Sequence, residues 1–320
     1  MLDVFFTVDV EVWCDDWSNI DATFPEAFQR YTYGPTPQGD YGLPFTLKLL
    51  NDSGLTGVFF VEPLFATRFG TAPLEEIIGL IRSASQEVQL HLHTEWADEA
   101  HPPLIEGMTH KRQHLRYFSC DEQTSLIATG KRLIEAAGSG EVCAFRAGSF
   151  GFNRDTLHAL RENDIAFDSS YNASMFGLDS GVMPGTTLVD VTREEGVYLY
   201  PMTVYRDGTS TLRHAQLSAC SFMEMEGLLW QALEQGRKSF VILSHNFELL
   251  NTAKTRPDAL MVSRFRKLCT FLARNSDVFR VRGFHGLQPQ LSPSQPQPLT
   301  SPVWKTGIRM LQQFYRRRYQ

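Results

Sequence analysis

The sequence predicts an α/β protein whose parallel strands, about seven of them, curl into an irregular (β/α) barrel. Two observations carry that expectation. Short apolar runs alternate with segments of helical periodicity along most of the 320 residues, the order that builds parallel sheets. Polar residues also collect at the C-terminal ends of several of those runs, where such barrels carry their sites.

Residues 4–10 (VFFTVDV) are apolar and β-branched and predict a buried strand. Residues 43–51 predict a helix closed by Ser53-Gly54, and residues 56–61 (TGVFFV) a second strand. Residues 74–83 have helical spacing, with Glu75 and Glu76 near the start, where negative charge suits the helix dipole. Residues 87–93 (EVQLHLH) give a third strand. A long helix is expected over 121–137, with Asp121 as N-cap and Gly138 as terminator. A strand over 142–146, a helix over 153–162 capped by Asn153, a short strand near Phe167 and a longer one over 197–205 follow. The last units are a helix over 223–234, a strand over 239–245 (SFVILSH), a helix over 257–273 with Pro257 in its first turn, and a strand over 278–281. No internal repeat is visible.

Composition narrows the class. Hydrophobic residues make up 42%, which fits a globular chain. The net charge of −6 argues against broad nucleic-acid binding. The five cysteines are odd in number and form no CxxC pair, so a disulfide scaffold or four-thiolate zinc site is not expected. Reduced thiols suit a cytoplasmic setting. Met1-Leu2-Asp3 runs straight into an apolar strand without a basic segment or cleavage site, and no apolar stretch reaches the ~18 residues that span a bilayer. A cytoplasmic protein is therefore expected.

Two stretches, 13–40 and 97–120, break the alternation and are expected as long loops beside the site. The chain then divides into a barrel over 1–285, a Pro/Ser/Gln-rich linker over 286–302 and a tail over 303–320. In the tail, Trp304, Ile308, Met310, Leu311 and Phe314 alternate with Lys305, Arg309, Arg316, Arg317 and Arg318, with no acid. It resembles a basic amphipathic helix, which would suit the inner face of an anionic membrane, a protein partner or solvent.

Four strand ends carry polar groups. Asp9 and Glu11 stand at i, i+2 and point to one side, where they repel unless a cation or proton separates them. His91 and His93 repeat the spacing, with Leu92 turned inward, and two imidazoles so placed can share one ion. Glu95 is a spare ligand or an acceptor for an imidazole N–H. Arg146, in FRAGSF, needs a carboxylate partner, for which Asp9 is the candidate. Gly148-Ser149 lets the backbone turn so that its N–H groups could face a developing oxyanion. His245, in LSHNF, can act as an acid or base near neutral pH. Each cluster alone has a bland structural reading. Their order, each after an expected strand, brings all four to one mouth if the strands are parallel neighbours.

With these motifs the chain resembles the polysaccharide deacetylases, the NodB-homology group of carbohydrate esterases, over roughly residues 4 to 247. TVDVE stands where that family has Asp-Asp or Asp-x-Asp, EVQLHLHTEW where it has a His-Ser/Thr-x-x-His stretch, FRAGSF for its Arg-x-Pro-Tyr turn, and LSHNF for its Leu-x-His strand. The HLHTEW form is similar to a WalW-like branch associated with lipopolysaccharide assembly. The resemblance implies a NodB-like barrel with Asp9 as base and Arg146 orienting it. It implies one divalent ion, zinc first, on Glu11, His91 and His93. Strict family spacing puts the second histidine at Glu95, so Glu95 is the alternative to His93. Ser149 N–H would serve the oxyanion, His245 would be the acid, and Asp168 would fill the fourth motif, behind the ligands or as an alternative ligand.

The implied reaction removes an acetyl or other acyl group from an amino sugar, lipid- or nucleotide-linked, in a surface-polysaccharide or lipopolysaccharide precursor. Trp13 and Trp96, with Trp17, Tyr31 and Tyr33, are candidate contacts for sugar faces. Two rival readings are a hydrolase of a small non-sugar amide and an inactive carbohydrate-binding or assembly protein.

Overall fold

The computed structural model describes residues 1–319 other than Asp15 and Thr109, and all their side chains except those of Arg317 and Tyr319. The Arg317 side chain and Gln320, both counted in the expected basic tail, lie outside what is described.

The fold is mixed α/β around a nine-stranded, parallel-rich sheet that curls into a half-barrel. In space the strands run Ser239–His245, Leu2–Val10, Gly57–Val61, Glu87–Leu92, Ala144–Ala147, Phe167–Asp168, Val197–Leu199 and Thr192–Glu194, with Phe279–Val281 also pairing with Leu2–Val10. All pairs are parallel except the one made by Thr192–Glu194. The outer edge of Ser239–His245 is covered by irregular chain. Leu243 N–H donates to Ala215, Leu217 N–H to Leu243, and Val241 N–H to the Thr203 hydroxyl.

Side-chain alternation separates two apolar layers. Phe5, Val58, Phe60, Ala144, Val241 and Leu243 fill the concave interior. Their neighbours Val4, Phe6, Phe59, Val61, Phe145 and Ile242 face the helices. Strands buried on both faces read as continuous apolar runs, which is why these were visible in the sequence. The inward phase continues past the apolar layers into polar residues: Phe5 leads to Thr7, Asp9 and Glu11, and Gln89 to His91 and His93.

Several expectations change. The stretch 13–40 is not a loop: it holds a helix over Ile20–Thr32, whose Ile20, Phe24, Ala27, Phe28 and Tyr31 are buried. The long helix is Cys120–Ala136 and its cap is Ser119, not Asp121. Ser119 Oγ accepts from Glu122 N–H while the Glu122 carboxylate accepts from Ser119 N–H, a reciprocal box that Asp121 cannot form. Asn153 does cap Arg154–Glu162. Pro257 lies outside its helix, which spans Ala259–Arg274 and is capped by Asp258. The run 197–205 is two strands, Val197–Leu199 and Val204–Arg206, in different sheets. Pro201 between them has no N–H for a ladder.

The Pro/Ser/Gln-rich stretch lies along the body. Gln295 Oε1 accepts from Val189 and Asp190 N–H, and Leu299–Thr300 pairs with Val204–Arg206. The helix Val303–Tyr319 follows it.

Candidate active site

Asp9 and Glu11 sit at the end of the central strand, with Ser239–His245 on one side and Gly57–Val61 on the other. Backbone register sets Asp9 opposite His245, and His91 opposite Arg146 one strand further round. All four sequence clusters therefore open on the same end of the sheet. They surround a cavity of about 400 Å³ lined by Asp9, Glu11, Trp13, His93, Ser149 and His245, with Met175, His214 and Gln216 opposite.

Two histidines converge on one carboxylate oxygen. His91 Nε2 lies 3.2 Å and His93 Nε2 2.9 Å from Glu11 Oε1. Their other ring nitrogens are committed elsewhere. His91 Nδ1 is 2.8 Å from the Arg146 carbonyl oxygen, which can only accept, so His91 carries its proton there. His93 Nδ1 is 3.3 Å from Glu95 Oε2 and donates to it in the same way. With both rings neutral, the two Nε2 lone pairs point at a carboxylate oxygen that is itself an acceptor. Such a set demands a positive charge in its midst. Glu11, His91 and His93 each offer a ligand atom within 4.8 Å of the others, and all three are buried. A ring N–H anchored to a carbonyl or carboxylate is also how metal-bound imidazoles are oriented. The residues thus fit a divalent ion, and Glu95 stands behind His93 as its acceptor.

The electrostatics agree. Burial alone would raise the Glu11 carboxyl, but His93 and His91 against it hold it well below the usual carboxylate range. Burial opposes charging of His93, yet Glu11 and Glu95 raise it to about 10. Trp13 Nε1–H closes the other oxygen of Glu11 at 2.6 Å, and its ring meets His93 edge-on.

Across this cluster Arg146 is wholly buried and donates from Nη1 to Asp9 Oδ1 at 2.6 Å and to Thr7 Oγ1 at 2.9 Å. Its Nε donates to the Ser169 carbonyl and its Nη2 to the Ser169 hydroxyl, and its plane lies over Phe60. The second Asp9 oxygen is 4.0 Å from His91 Nε2. Ser149 and Phe150 both take left-handed backbone (φ 52° and 57°), a conformation uncommon for non-glycine residues. Gly148 ahead of them is required: a Cβ there would stand 2.7 Å from the Leu92 oxygen and 2.8 Å from His93 Nδ1.

His245 completes the rim. Burial opposes its charging, but Glu248, Glu11 and Asp9 raise it to about 9. Glu248 accepts from His245 N–H at 3.0 Å and its carboxylate is 3.7 Å from His245 Nδ1.

Three sequence-predicted residues lie elsewhere. Asp168 is out of phase, since Phe167 before it faces the interior. It accepts from the Ser170 hydroxyl and N–H, and burial raises its carboxyl to about 7. Ser170 Oγ in turn accepts from Ala147 N–H, so Asp168 braces the Arg146 strand from behind. Trp96 is fully buried against Trp17, Phe24, Phe65 and Phe69 and has no surface for a sugar. Tyr31 is likewise buried, against Phe247.

The sequence reading missed Ser169, Glu248 and Asn246. Asn246 bonds both the N–H and the carbonyl of Glu11 and also reaches Tyr31, fixing the loop that carries the carboxylate. The available signal was position: Asn246 and Glu248 directly follow the LSH motif.

No protein-family model and no curated protein matches this sequence. Solved structures do. A candidate polysaccharide deacetylase from Mycobacterium smegmatis aligns over 92% of this chain and 94% of its own, at 18% identity and a TM-score of 0.55, which shows a shared fold. A family 4 carbohydrate esterase from Streptomyces lividans, solved with acetate, aligns over 85% and 88% at 14% identity and a TM-score of 0.43. A pseudoenzyme of the same esterase family from Bacillus anthracis aligns over 86% of this chain and 62% of its own, at 14% identity and 0.39.

Proposed function

We propose that the protein is a metal-dependent carbohydrate deacetylase that hydrolyses the N-acetyl, or another acyl, group of an amino sugar. The observation that carries this is the pair of Nδ1-anchored histidines whose Nε2 atoms meet on Glu11, beside a carboxylate held by a buried arginine. The fold shared with the Mycobacterium smegmatis protein supports it.

Glu11, His91 and His93 would hold the ion, zinc first on this donor set. Bound there, a divalent ion supplies Lewis acidity toward an acyl oxygen and makes water more acidic. Asp9, aligned through Oδ1 by Arg146, takes the proton of the attacking water. The left-handed turn at Ser149 offers backbone N–H toward the tetrahedral oxyanion. His245, raised to about 9, carries a proton at neutral pH and delivers it to the departing nitrogen. Trp13, at the lip beside Glu11, is the aromatic face placed for a sugar ring. We further propose a saccharide carried on a lipid or nucleotide, as a precursor of surface polysaccharide or lipopolysaccharide, and a cytoplasmic setting.

The test is a pair of measurements on one variant. His245→Ala retains stoichiometric metal and loses hydrolysis of N-acetylated amino-sugar oligosaccharides. Full activity would remove His245 from the chemistry. A wild-type protein that binds no ion after gentle purification would favour an inactive saccharide-binding role, and faster turnover of simple amides than of acetamido sugars would favour the small-amide hydrolase.

A further inference from the structure

The tail helix Val303–Tyr319 docks with its polar side inward. Arg309 is buried, its Nη2 2.7 Å from Asp207 Oδ2 and its Nε 3.4 Å from Glu224 Oε2. Thr306 Oγ1 accepts from Gly208 N–H, Gln312 Oε1 accepts from Arg264 at 2.7 Å, and Arg316 pairs with Asp258. These residues fall at i, i+3, i+6 and i+10, one helical stripe. The opposite stripe is apolar and faces out: Val303, Leu311 and Phe314 are 72%, 71% and 61% exposed, and Trp304, Met310 and Tyr315 are exposed beside them. Two of the cations expected to meet a partner, Arg309 and Arg316, are thus engaged with acids of the body, while the apolar side is outermost. That reverses the usual packing of an amphipathic helix on a protein surface.

The apolar surface continues. Lys305 Nζ lies over Gly227 of the helix Phe222–Glu234. Met223 and Trp230, four residues before and three after Gly227, lie on the same face and are exposed. Beside Trp230 runs a groove whose described lining includes Arg266, Lys267 and Arg274 against one acid, Glu226. All three cations are exposed. On a chain of net charge −6 this is a local concentration of positive charge around exposed apolar residues.

We propose that this outward face of the tail helix, with the cation-flanked stripe beside it, is a docking surface for an anionic lipid bilayer. Apolar side chains with Trp and Tyr among them suit the headgroup boundary, and flanking lysine and arginine suit its charge. A second copy of this chain is a poorer occupant, because self-pairing would set the same cations against one another. The docked side is tied to the candidate site: Arg264 donates to Gln312 and to the Ser218 carbonyl, and Ser218 N–H donates to Glu248, which holds His245. A bilayer on this helix would therefore lie near the element carrying the proposed acid, suiting a lipid-carried saccharide. Only this last link rests on the deacetylase reading.

The experiment is vesicle cosedimentation of the full chain, with phosphatidylcholine alone and with an equal mixture of phosphatidylcholine and phosphatidylglycerol. The chain is expected on the mixed vesicles, less as salt rises. Leu311→Gln/Phe314→Gln is expected to cut binding by at least about tenfold, from the apolar area each side chain withdraws from water. Arg266→Glu/Lys267→Glu is expected to abolish the preference for phosphatidylglycerol. All these residues are exposed, so thermal melting should be unchanged in both variants. Failure to bind either vesicle, or undiminished binding by the Leu311/Phe314 variant, overturns the proposal. So does a dimer in analytical sedimentation that the same variant abolishes without any vesicle binding. Vesicle binding with no deacetylation would leave the surface standing and the proposed reaction fallen.

Discussion

At the residue scale the site is organised by second contacts. Neither histidine can turn without giving up an acceptor, His91 on the Arg146 carbonyl and His93 on Glu95. Glu95→Gln should therefore keep the fold and lower metal affinity about tenfold to a hundredfold, read by competition with a chelator. Arg146 is the costlier loss. Arg146→Met leaves Asp9 buried and facing an apolar chain, and should destabilise by about 3 to 5 kcal/mol in chemical denaturation. Unchanged stability would mean that Asp9 finds another donor. The motifs legible in the sequence share one property: each continues the inward phase of a strand long enough to have a phase. Asp9, Glu11, His91 and His93 could be assigned to one side for that reason. Asp168 could not, because Phe167–Asp168 is two residues long and no alternation shows which of them faces in. Ser169, which takes two Arg146 bonds, was hidden by the same shortness.

At the scale of elements, long periodic helices and two-sided buried strands were legible, and their ends were not. The helix Ile20–Thr32 has clear spacing, yet Pro25 and the turn-rich residues before it read as loop. Trp96 belonged to the same misreading, since its partner Phe24 becomes a neighbour only once that helix is in place. The tail helix was legible as amphipathic, but its inward side was not, because the acids that receive it, Asp207, Glu224 and Asp258, are distant in sequence. Its docking should be acid-sensitive. Burial would raise Asp207, but Thr209, Arg213 and Arg309 hold it well below the usual carboxylate range. A depressed acid adds stability above its unfolded value near 3.8, and that contribution is lost as pH falls below it. Hydrogen exchange in residues 303–319 should therefore accelerate as pH is lowered from about 5 to 3, after correction for intrinsic rates, and Asp207→Asn should already exchange fast at neutral pH. Equal protection in the variant would mean that Glu224 and Asp258 suffice to hold the helix.

At the scale of the whole molecule, metal and proton compete for one site. In the metal-free chain His93 is raised from 6.5 to about 10, so its stabilising contribution is full below pH 6.5 and is lost as pH rises toward 10. An ion on Glu11, His91 and His93 replaces that proton and binds better as pH rises. The rise in melting temperature on adding zinc to chelator-treated protein should grow between pH 6.5 and 9, and Glu11→Gln should flatten it. Excess ion at a hundred times its dissociation constant would stabilise by about 2.7 kcal/mol. A zinc response that is constant across this range would place the ion elsewhere.

The central strand Leu2–Val10 has a wider consequence. One long neighbour, Gly57–Val61, follows early, but the other, Ser239–His245, comes 235 residues after it by the Thr7–Ile242 bond. On the ribosome, this strand must wait for one made 235 residues later before its second edge is closed. Until then an apolar ribbon with free N–H and C=O groups is open to any passing chain. Truncated products ending before residue 239 should collect in inclusion bodies, and refolding should be slow for a domain of this size, since so much of its pairing is non-local.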